Sequence, residues 1–308
     1  MSEHRPVLLD EAINGLAIKP DGIYVDATFG RGGHSSRILQ QLGSQGRLIA
    51  LDKDPEAIRV AQVAPFLDPR FCIEHVSFAE LEAVAARHNV VGKVDGVLLD
   101  VGVSSPQLDD PTRGFSFTKE GPLDMRMNTQ QGMDAATWIN QAAAEDMAQV
   151  FWRYGEERYS RRIAKAIVVA REAHDIETTT QLAKIIAAAS PQHDPHKHPA
   201  TRCFQAIRIF INDELDDLKN CLQQTITVLS VGGRLSVISF HSLEDRIVKQ
   251  FIHKHAQGDP YPSNFPIKDV DLCRKMRKIG RLVRPTTQEV NENSRARSAR
   301  LRIAEKIQ

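Results

Sequence analysis

Short apolar segments alternate with amphipathic segments through the first hundred residues. The amphipathic stretches 35–42 and 55–63 place apolar residues at helical spacing, and Asp54 and Pro55 form a typical helix start. The apolar segments read as strands and cover residues 22–26, 47–52, 71–75 and 94–100. This alternation predicts βαβ units and a parallel sheet.

The pattern changes after Asp100. A stretch rich in Gly, Pro and Ser is followed by charged, helical sequence over about 135–189 and 202–229. A strand pattern then returns at 232–240, and a helix is predicted over about 243–255. Residues 297–304 predict a last edge strand.

The fold class that follows is α/β, with one sheet interrupted by an inserted helical domain. We assign residues 1–108 and 214–308 to a discontinuous sheet domain and residues 109–213 to the insertion. A chain of 308 residues is long enough for two such domains.

The composition bears on where in the cell the protein acts. The sequence has neither a signal-peptide pattern nor an apolar run of the roughly 20 residues that span a membrane. The four cysteines are scattered and form no CxxC pair, which predicts reduced packing residues. We therefore expect a cytoplasmic protein with no membrane partner.

Charge is unevenly distributed. The whole chain carries a net charge of only +1, but ten Lys and Arg residues face two Glu residues between Arg274 and Arg302, a local net charge of +8. Arg153, Arg158, Arg161, Arg162 and Lys165 form a second basic group in the predicted insertion, although Glu156 and Glu157 lie among them. Such stretches favour a polyanionic partner, while a solvated helix face is the alternative.

A glycine-rich loop follows the first predicted strand, at residues 26–34. A doubly wound sheet places its ligand crevice there, and glycines allow close approach of the backbone. Asp52 ends the next strand 20 residues after Gly32, where a carboxylate can accept hydrogen bonds from ribose hydroxyls. The segment is typical of a site for an adenosine cofactor.

The loop does not match the nicotinamide pattern, because a serine stands where its third glycine belongs. Acidic residues instead end three strands, at Asp26, Asp52 and Asp100. An anionic crevice favours a cationic ligand over a diphosphate. S-adenosyl-L-methionine carries a sulfonium and an ammonium group, so we predict it as the cofactor.

The fourth strand leads into the segment Ser104-Ser105-Pro106-Gln107, which resembles the [N/D/S]-P-P-[Y/F/W] turn of amino methyltransferases except at its second and fourth positions. Such a turn holds an exocyclic amine with its lone pair directed at the methyl group, at roughly 3–3.5 Å. Asp100, Ser105 and Pro106 are therefore candidate catalytic residues.

Histidines offer two further candidates. His241 follows the later strand, where it acts either as a proton relay or as a structural cap of the next helix. Three histidines at 193–198 match no standard zinc spacing, so we predict no metal site.

The sequence resembles the RsmH family, also called MraW, of bacterial ribosomal RNA cytosine-N4 methyltransferases. The resemblance covers nearly the whole chain and is carried by residues 4–9, 28–34, 99–109, 113–117, 121–127, 204–209 and 239–246. It implies a class I (Rossmann-like) methyltransferase sheet with an inserted helical substrate-recognition domain. It also implies that the cofactor is contacted by Gly32, Gly33, His34, Asp52, Phe78, Asp100 and Gln107.

The activity implied by the resemblance is methylation of N4 of a cytidine in the decoding region of 16S ribosomal RNA. Naked 16S rRNA and the assembled small ribosomal subunit are both open as substrates, as are a monomer and a homodimer. A non-catalytic RNA-binding ribosome-assembly factor is the alternative, because a fold alone does not establish activity. A methylase of DNA or of a small molecule would keep the chemistry, but the insertion and the basic stretches fit a large acceptor better.

Overall fold

The computed structural model describes residues 6–191, 198–258 and 273–308. The chain divides into two compact units, residues 1–102 with 215–308 and residues 103–214. The division therefore falls at 102/103 and 214/215, where the sequence predicted 108/109 and 213/214.

The first unit is built on a seven-stranded sheet with the order β3-β2-β1-β4-β5-β7-β6. Strands β1 to β5 pair in parallel, and β7 pairs antiparallel with both β5 and β6. The strands are β1 (Ile23–Asp26), β2 (Arg47–Asp52), β3 (Phe71–His75), β4 (Val94–Asp100), β5 (Leu229–Ser239), β6 (Met276–Val283) and β7 (Arg300–Lys306). This sheet confirms the predicted α/β, Rossmann-like class, and the first four strands lie where the sequence placed them.

Helices cover both faces of the sheet, so both faces are apolar. Successive residues of a strand point to opposite faces, and the neighbours Leu98 and Leu99 accordingly belong to two different core clusters, each fully buried. The helices of this unit are α1 (Leu9–Leu16), α2 (Gly33–Leu39), α3 (Pro55–Val60), α4 (Leu81–Arg87), α11 (Glu214–Val228), α12 (Ser242–Gln257) and α13 (Thr287–Glu292).

The edge of the sheet differs from the prediction. The segment expected as the edge strand is β7, which lies between β5 and β6, and the true edge is β6. The sequence of β6, Met-Arg-Lys-Ile-Gly-Arg-Leu-Val, hides its strand character because an exposed edge carries charges and tolerates a glycine.

The second unit is helical, as predicted for the insertion. Its helices are α5 (Ser105–Asp109), α6 (Ala135–Gln141), α7 (Ala144–Gly155), α8 (Ser160–Arg171), α9 (Thr179–Ala189) and α10 (Thr201–Ile211). Its irregular segment before α6 is held by Asn212, whose side chain accepts from Met127 N at 2.7 Å and donates to Met125 O at 2.8 Å. Phe115 is 6% exposed and belongs to the core of this unit.

Three smaller expectations concern cysteines, membranes and metals. All four cysteines are free thiols; Cys203 and Cys221 are buried, whereas Cys273 is exposed. Within residues 6–191, 198–258 and 273–308, no helix is long and apolar enough to cross a membrane. The same residues contain no cluster of metal-ligating side chains, and His193 and His196 lie outside the described residues.

Candidate functional site

The loop after β1 is organised by Asp26, which is completely buried. Its carboxylate accepts hydrogen bonds from Thr28 N at 3.2 Å and from Ser35 Oγ at 2.7 Å. Thr28 Oγ1 in turn accepts from Asp100 N at 2.6 Å. These bonds tie the carboxyl ends of β1 and β4 together, so Asp26 supports the loop rather than facing a ligand.

Asp52 holds the same loop from the end of β2. Its Oδ2 accepts from Gly30 N at 2.7 Å, and its Oδ1 accepts from Asp54 N at 2.8 Å. The carboxylate is thereby fixed at the crevice that the sequence predicted. Asp54 also caps α3 by accepting from Glu56 N at 2.9 Å, as its position before Pro55 indicated.

Packing within the protein accounts for the glycines at 32 and 33, whereas the sequence suggested close approach of the backbone to a ligand. Gly32 has φ +75°, and a Cβ there would lie 2.2 Å from the ring of Phe66. A Cβ on Gly33 would lie 2.2 Å from Pro6. The missing side chains make room for the protein's own rings, and a backbone with positive φ further favours glycine at 32.

Asp100 has a carboxyl oxygen in the crevice that is unsatisfied by the described residues. Its Oδ1 is buried and has no hydrogen-bond partner among the described residues, and its Oδ2 lies 3.7 Å from His34 Nδ1. His34 is 5% exposed, and its Nε2 is also buried without a partner in the described part of the chain. Buried polar groups without partners are uncommon, and a ligand is one way of satisfying them.

The burial of these side chains determines which of them are protonated near pH 7. Burial, and to a smaller extent the nearby carboxylates of Asp26 and Glu244, raise the pKa of Asp100 to about 8. Burial likewise raises the pKa of both Asp26 and Asp52 to about 6, although hydrogen bonds oppose it. Burial lowers the pKa of His34 to about 4, so His34 and Asp100 form a neutral pair near pH 7 rather than an ion pair.

His241 caps α12. Its Nδ1 accepts from Glu244 N at 3.5 Å, while Glu244 Oε2 accepts from the main-chain N–H groups of Phe240 and His241 at 2.8 and 3.1 Å. His241 Nε2 lies 2.9 Å from Glu244 Oε1. This reciprocal arrangement is a capping box, and of the two sequence alternatives it favours the structural cap.

Ser105, Pro106 and Gln107 lie in the second unit, at the start of α5. Ser104 caps the helix, and Gln107 Oε1 accepts from Ser104 N at 2.8 Å in a second capping box. Gln107 is 7% exposed, and Pro106 lies in the first turn, where a proline is tolerated. The four-residue turn predicted for amine recognition is therefore also a helix start.

Phe78 opens a 3-10 turn (Phe78–Glu80) after β3 and packs, half-buried, against the core beside β4. Ser77 fixes this turn by donating to Asp217 Oδ2 at 2.7 Å. The side chain retains exposed surface, as a residue flanking a ligand requires.

Thr28, Ser35 and Glu244 are site residues that the sequence reasoning did not select. Thr28 and Ser35 tie the loop to Asp100 and Asp26, and Glu244 is fully buried near Asp100. The Glu at the third position after a helix cap was a visible signal of the capping box. No local pattern indicates the bonds of Thr28 and Ser35, because their partners depend on the folded loop.

The fold and the crevice define the class of protein. A doubly wound sheet carries carboxylates at the carboxyl ends of β1, β2 and β4, around a glycine-rich loop that suits a cationic adenosine cofactor. The model of the MraW methylase family matches residues 1–307. The chain belongs to this family, and its methyl donor is S-adenosylmethionine.

Relatives match over their full length. The chain is 60% identical to the ribosomal RNA small subunit methyltransferase H of Coxiella burnetii and 56% identical to that of Legionella pneumophila (strain Paris), covering 100% of both chains in each case. A solved S-adenosylmethionine-dependent O-methyltransferase of Thermotoga maritima is 12% identical with a TM-score of 0.44, over 100% of this chain and 69% of that chain. A score this low adds nothing to the family relationship.

Proposed function

We propose that this protein transfers the methyl group of S-adenosyl-L-methionine to N4 of a cytidine in the decoding region of 16S ribosomal RNA. The observation that carries the proposal is the carboxyl group of Asp100, whose buried Oδ1 is unsatisfied among the described residues at the end of β4. A cation beside it would satisfy this group and restore its charge. The names of the full-length relatives supply the acceptor, small-subunit ribosomal RNA.

The described residues of the crevice fit the cofactor. Asp52 is held in place by two main-chain N–H groups, and one lone pair of each carboxylate oxygen remains for ribose hydroxyls. Asp52, with a pKa of about 6, is ionised near pH 7, and a bound cation would favour the ionised form of Asp100 as well, so the two carboxyl groups can supply the negative charge that a sulfonium and an ammonium group require. We propose as cofactor-contacting residues the set Gly32, Gly33, His34, Asp52, Phe78, Asp100 and Gln107.

The bound cofactor supplies an electrophilic methyl group, and the work of the chain is alignment. An exocyclic amine is a weak nucleophile because its lone pair is conjugated with the ring, so acceptor groups must hold its N–H bonds. We propose that Asp100, Ser105 and Pro106 provide this positioning. We also propose that His34, because it is neutral, places no positive charge beside Asp100 that would compete with the cofactor. For His241, its bond to Glu244 N supports a role in holding α12 rather than in proton transfer.

A cytidine amine is inaccessible while the base is stacked and paired. The substrate nucleotide must therefore be unpaired or extruded before it reaches the crevice. The exposed basic residues of the second unit, including Arg158, Arg161 and Arg162, are suited to phosphate groups.

The test is transfer of labelled methyl from S-adenosylmethionine to small ribosomal subunits, naked 16S ribosomal RNA and DNA, followed by nucleoside analysis. We expect label in N4-methylcytidine of ribosomal RNA only. Label in another nucleoside would refute the N4 assignment, and label in DNA would refute the acceptor. Cofactor binding without any transfer would support a non-catalytic assembly factor instead.

A further inference from the structure

A groove in the first unit lies between helix α12 and the edge strand β6, away from the carboxylates of the crevice. It has a volume of about 140 Å³. Its lining is mainly apolar, and this apolar floor includes atoms of Ile252, Ile279, Leu282 and Ile303, while Lys249, Lys278 and Arg281 also line the groove. A pocket for a drug-sized molecule needs roughly 300 Å³ or more, so this groove suits part of a polymer better than a whole small ligand.

Two carboxylates of the neighbouring elements α12 and β7 are already paired with other arginines, so they do not balance the positive charge of Lys249, Lys278 and Arg281. Asp245 of α12 already binds both Arg300 and Arg302, with N–O distances of 2.8 and 2.7 Å. Glu305 of β7 is likewise shared between Arg234 and Arg277.

Lys249, Lys278 and Arg281 are exposed and make no ion pair within residues 6–191, 198–258 and 273–308. Three positive charges therefore face solvent above an apolar floor. This combination matches a phosphate backbone with its bases or sugars turned towards the protein.

The groove depends on an irregularity in β6. Ile279 pairs with Ile303 and Val283 pairs with Leu301, so three residues of β6 stand opposite the single residue Arg302. Gly280 has φ +63° within this bulge. Bulges redirect side chains at sheet edges, and this one places Arg281 and Leu282 on the groove.

The strand register connects the groove to the crevice. Asp100 pairs with Ile238, Ile238 with Leu301, and Leu301 with Val283, so these residues form one row across the sheet. At about 4.8 Å between strands, Val283 lies about 14 Å from Asp100, the length of about four stacked nucleotides. Val283 directly follows Leu282, which lines the groove, so one RNA segment can reach both places.

We infer that the α12–β6 groove is a docking site for the sugar-phosphate backbone of single-stranded RNA that flanks the target nucleotide. The inference rests on the proposed function in that RNA is the acceptor. Lys249, Lys278 and Arg281 bind phosphates, and the apolar floor supports a neighbouring sugar or base without reading its sequence. The opposing explanation is that these charges only protect an exposed strand edge from pairing with other chains.

The experiment compares the full-length wild type with the triple variant Lys249→Ala, Lys278→Ala, Arg281→Ala. The matched control is Arg47→Ala, Lys93→Ala, Lys219→Ala, which removes the same charge from exposed positions of the same unit outside the groove. Fluorescence anisotropy measures the affinity for a short labelled oligouridylate across a range of salt concentrations. Calorimetry measures the affinity for S-adenosylmethionine.

We expect the groove variant to bind the oligouridylate at least about tenfold more weakly and to lower the slope of log affinity against log salt by about 2, or about 0.7 for each lost phosphate contact. Cofactor affinity should not change, and the control should resemble the wild type. Equal RNA affinity and salt slope in the groove and control variants would overturn the inference. So would groove-dependent binding to phosphatidylserine vesicles with RNA affinity intact.

Two further measurements separate the possible failures. Arg281→Gln keeps a polar head and should alone lower the slope by about 0.7, which covers the case of a misfolded triple variant. Absence of methyl transfer by the wild type would refute the proposed function but leave the anisotropy result to decide the groove. Normal transfer with no effect of the groove variants on oligouridylate binding would refute only the groove.

Discussion

The side chain of Asp100 illustrates how a single carboxyl group is tuned by its enclosure. Burial and two neighbouring carboxylates keep its pKa at about 8, well above the ordinary value near 3.9. The folded protein therefore holds a proton that the unfolded chain releases above about pH 4. Between about pH 4 and 8 the stability contributed by this group falls as pH rises.

Replacing Asp100 with Asn tests this view. We expect Asp100→Asn to raise the Tm at pH 8 by at least about 2 °C, because it removes a buried group that tends to ionise. The same change should weaken S-adenosylmethionine binding and lower turnover by at least about a hundredfold, since it removes the negative charge. Thermal denaturation, calorimetry and methyl transfer measure the three quantities.

The control for Asp100→Asn is Asp216→Asn, an exposed residue paired with Lys219 on α11. It should leave cofactor affinity and turnover unchanged. A variant at 100 that binds the cofactor as tightly as the wild type would remove Asp100 from the cofactor site.

Cofactor affinity should depend on pH in a direction set by the same pKa. Below about pH 8 the carboxyl group of Asp100 is protonated in the free protein, and a cationic ligand favours its ionised form. Affinity should therefore rise from about pH 6 to about pH 7.5, below the titration of an ordinary α-amino group, with proton release on binding. Calorimetry in two buffers of different ionisation enthalpy measures the released proton; proton uptake would contradict the assignment.

At the scale of elements, helix α12 is anchored by its first residues. His241 and Glu244 cap each other's main-chain N–H groups, so His241→Ala should lower the free energy of unfolding by about 1 kcal/mol. His241→Asn keeps a good cap, so the free energy of unfolding should stay close to that of the wild type and kcat should stay within about twofold of it. A large loss of kcat in a stable His241→Asn protein, with one limb missing from the pH–rate profile, would establish proton transfer instead.

Elements with strong periodicity were predictable from the chain. Strands β1, β2 and β4 are apolar and mostly buried, and the edge strand β3 still contains Phe71, Cys72 and Ile73, so local sequence shows all four clearly. Strand β6 was missed because it is an edge, with Lys278 and Arg281 exposed and Gly280 in a bulge. Its strand character comes from its pairing with β7, which is a non-local interaction.

At the scale of the whole molecule, local charge matters more than the net charge of +1. Glu157 lies among the arginines of the second unit but is buried, and its Oε1 accepts from Tyr159 N at 2.9 Å. The neighbouring Arg158, Arg161 and Arg162 are exposed. The solvent-facing charges of this segment are therefore mainly basic.

RNA binding should accordingly weaken steeply with salt. The triple variant Arg158→Ala, Arg161→Ala, Arg162→Ala should lower the salt slope by about 2 and leave cofactor affinity unchanged. The variant of Arg47, Lys93 and Lys219 again serves as the control, and filter binding with 16S ribosomal RNA provides the measurement. An affinity that is flat with salt in the wild type would show that phosphate contacts are unimportant.

The sequence by itself determined the sheet, the inserted helical unit and the acidic, glycine-containing crevice, because periodicity and strand-end residues are local properties. It also placed Asp52 and Asp100 at strand ends. Tertiary structure alone decided the protonation of Asp100, the packing reason for Gly32 and the position of β6. Desolvation, steric contact and strand pairing depend on residues far apart in the chain, and only folding brings them together.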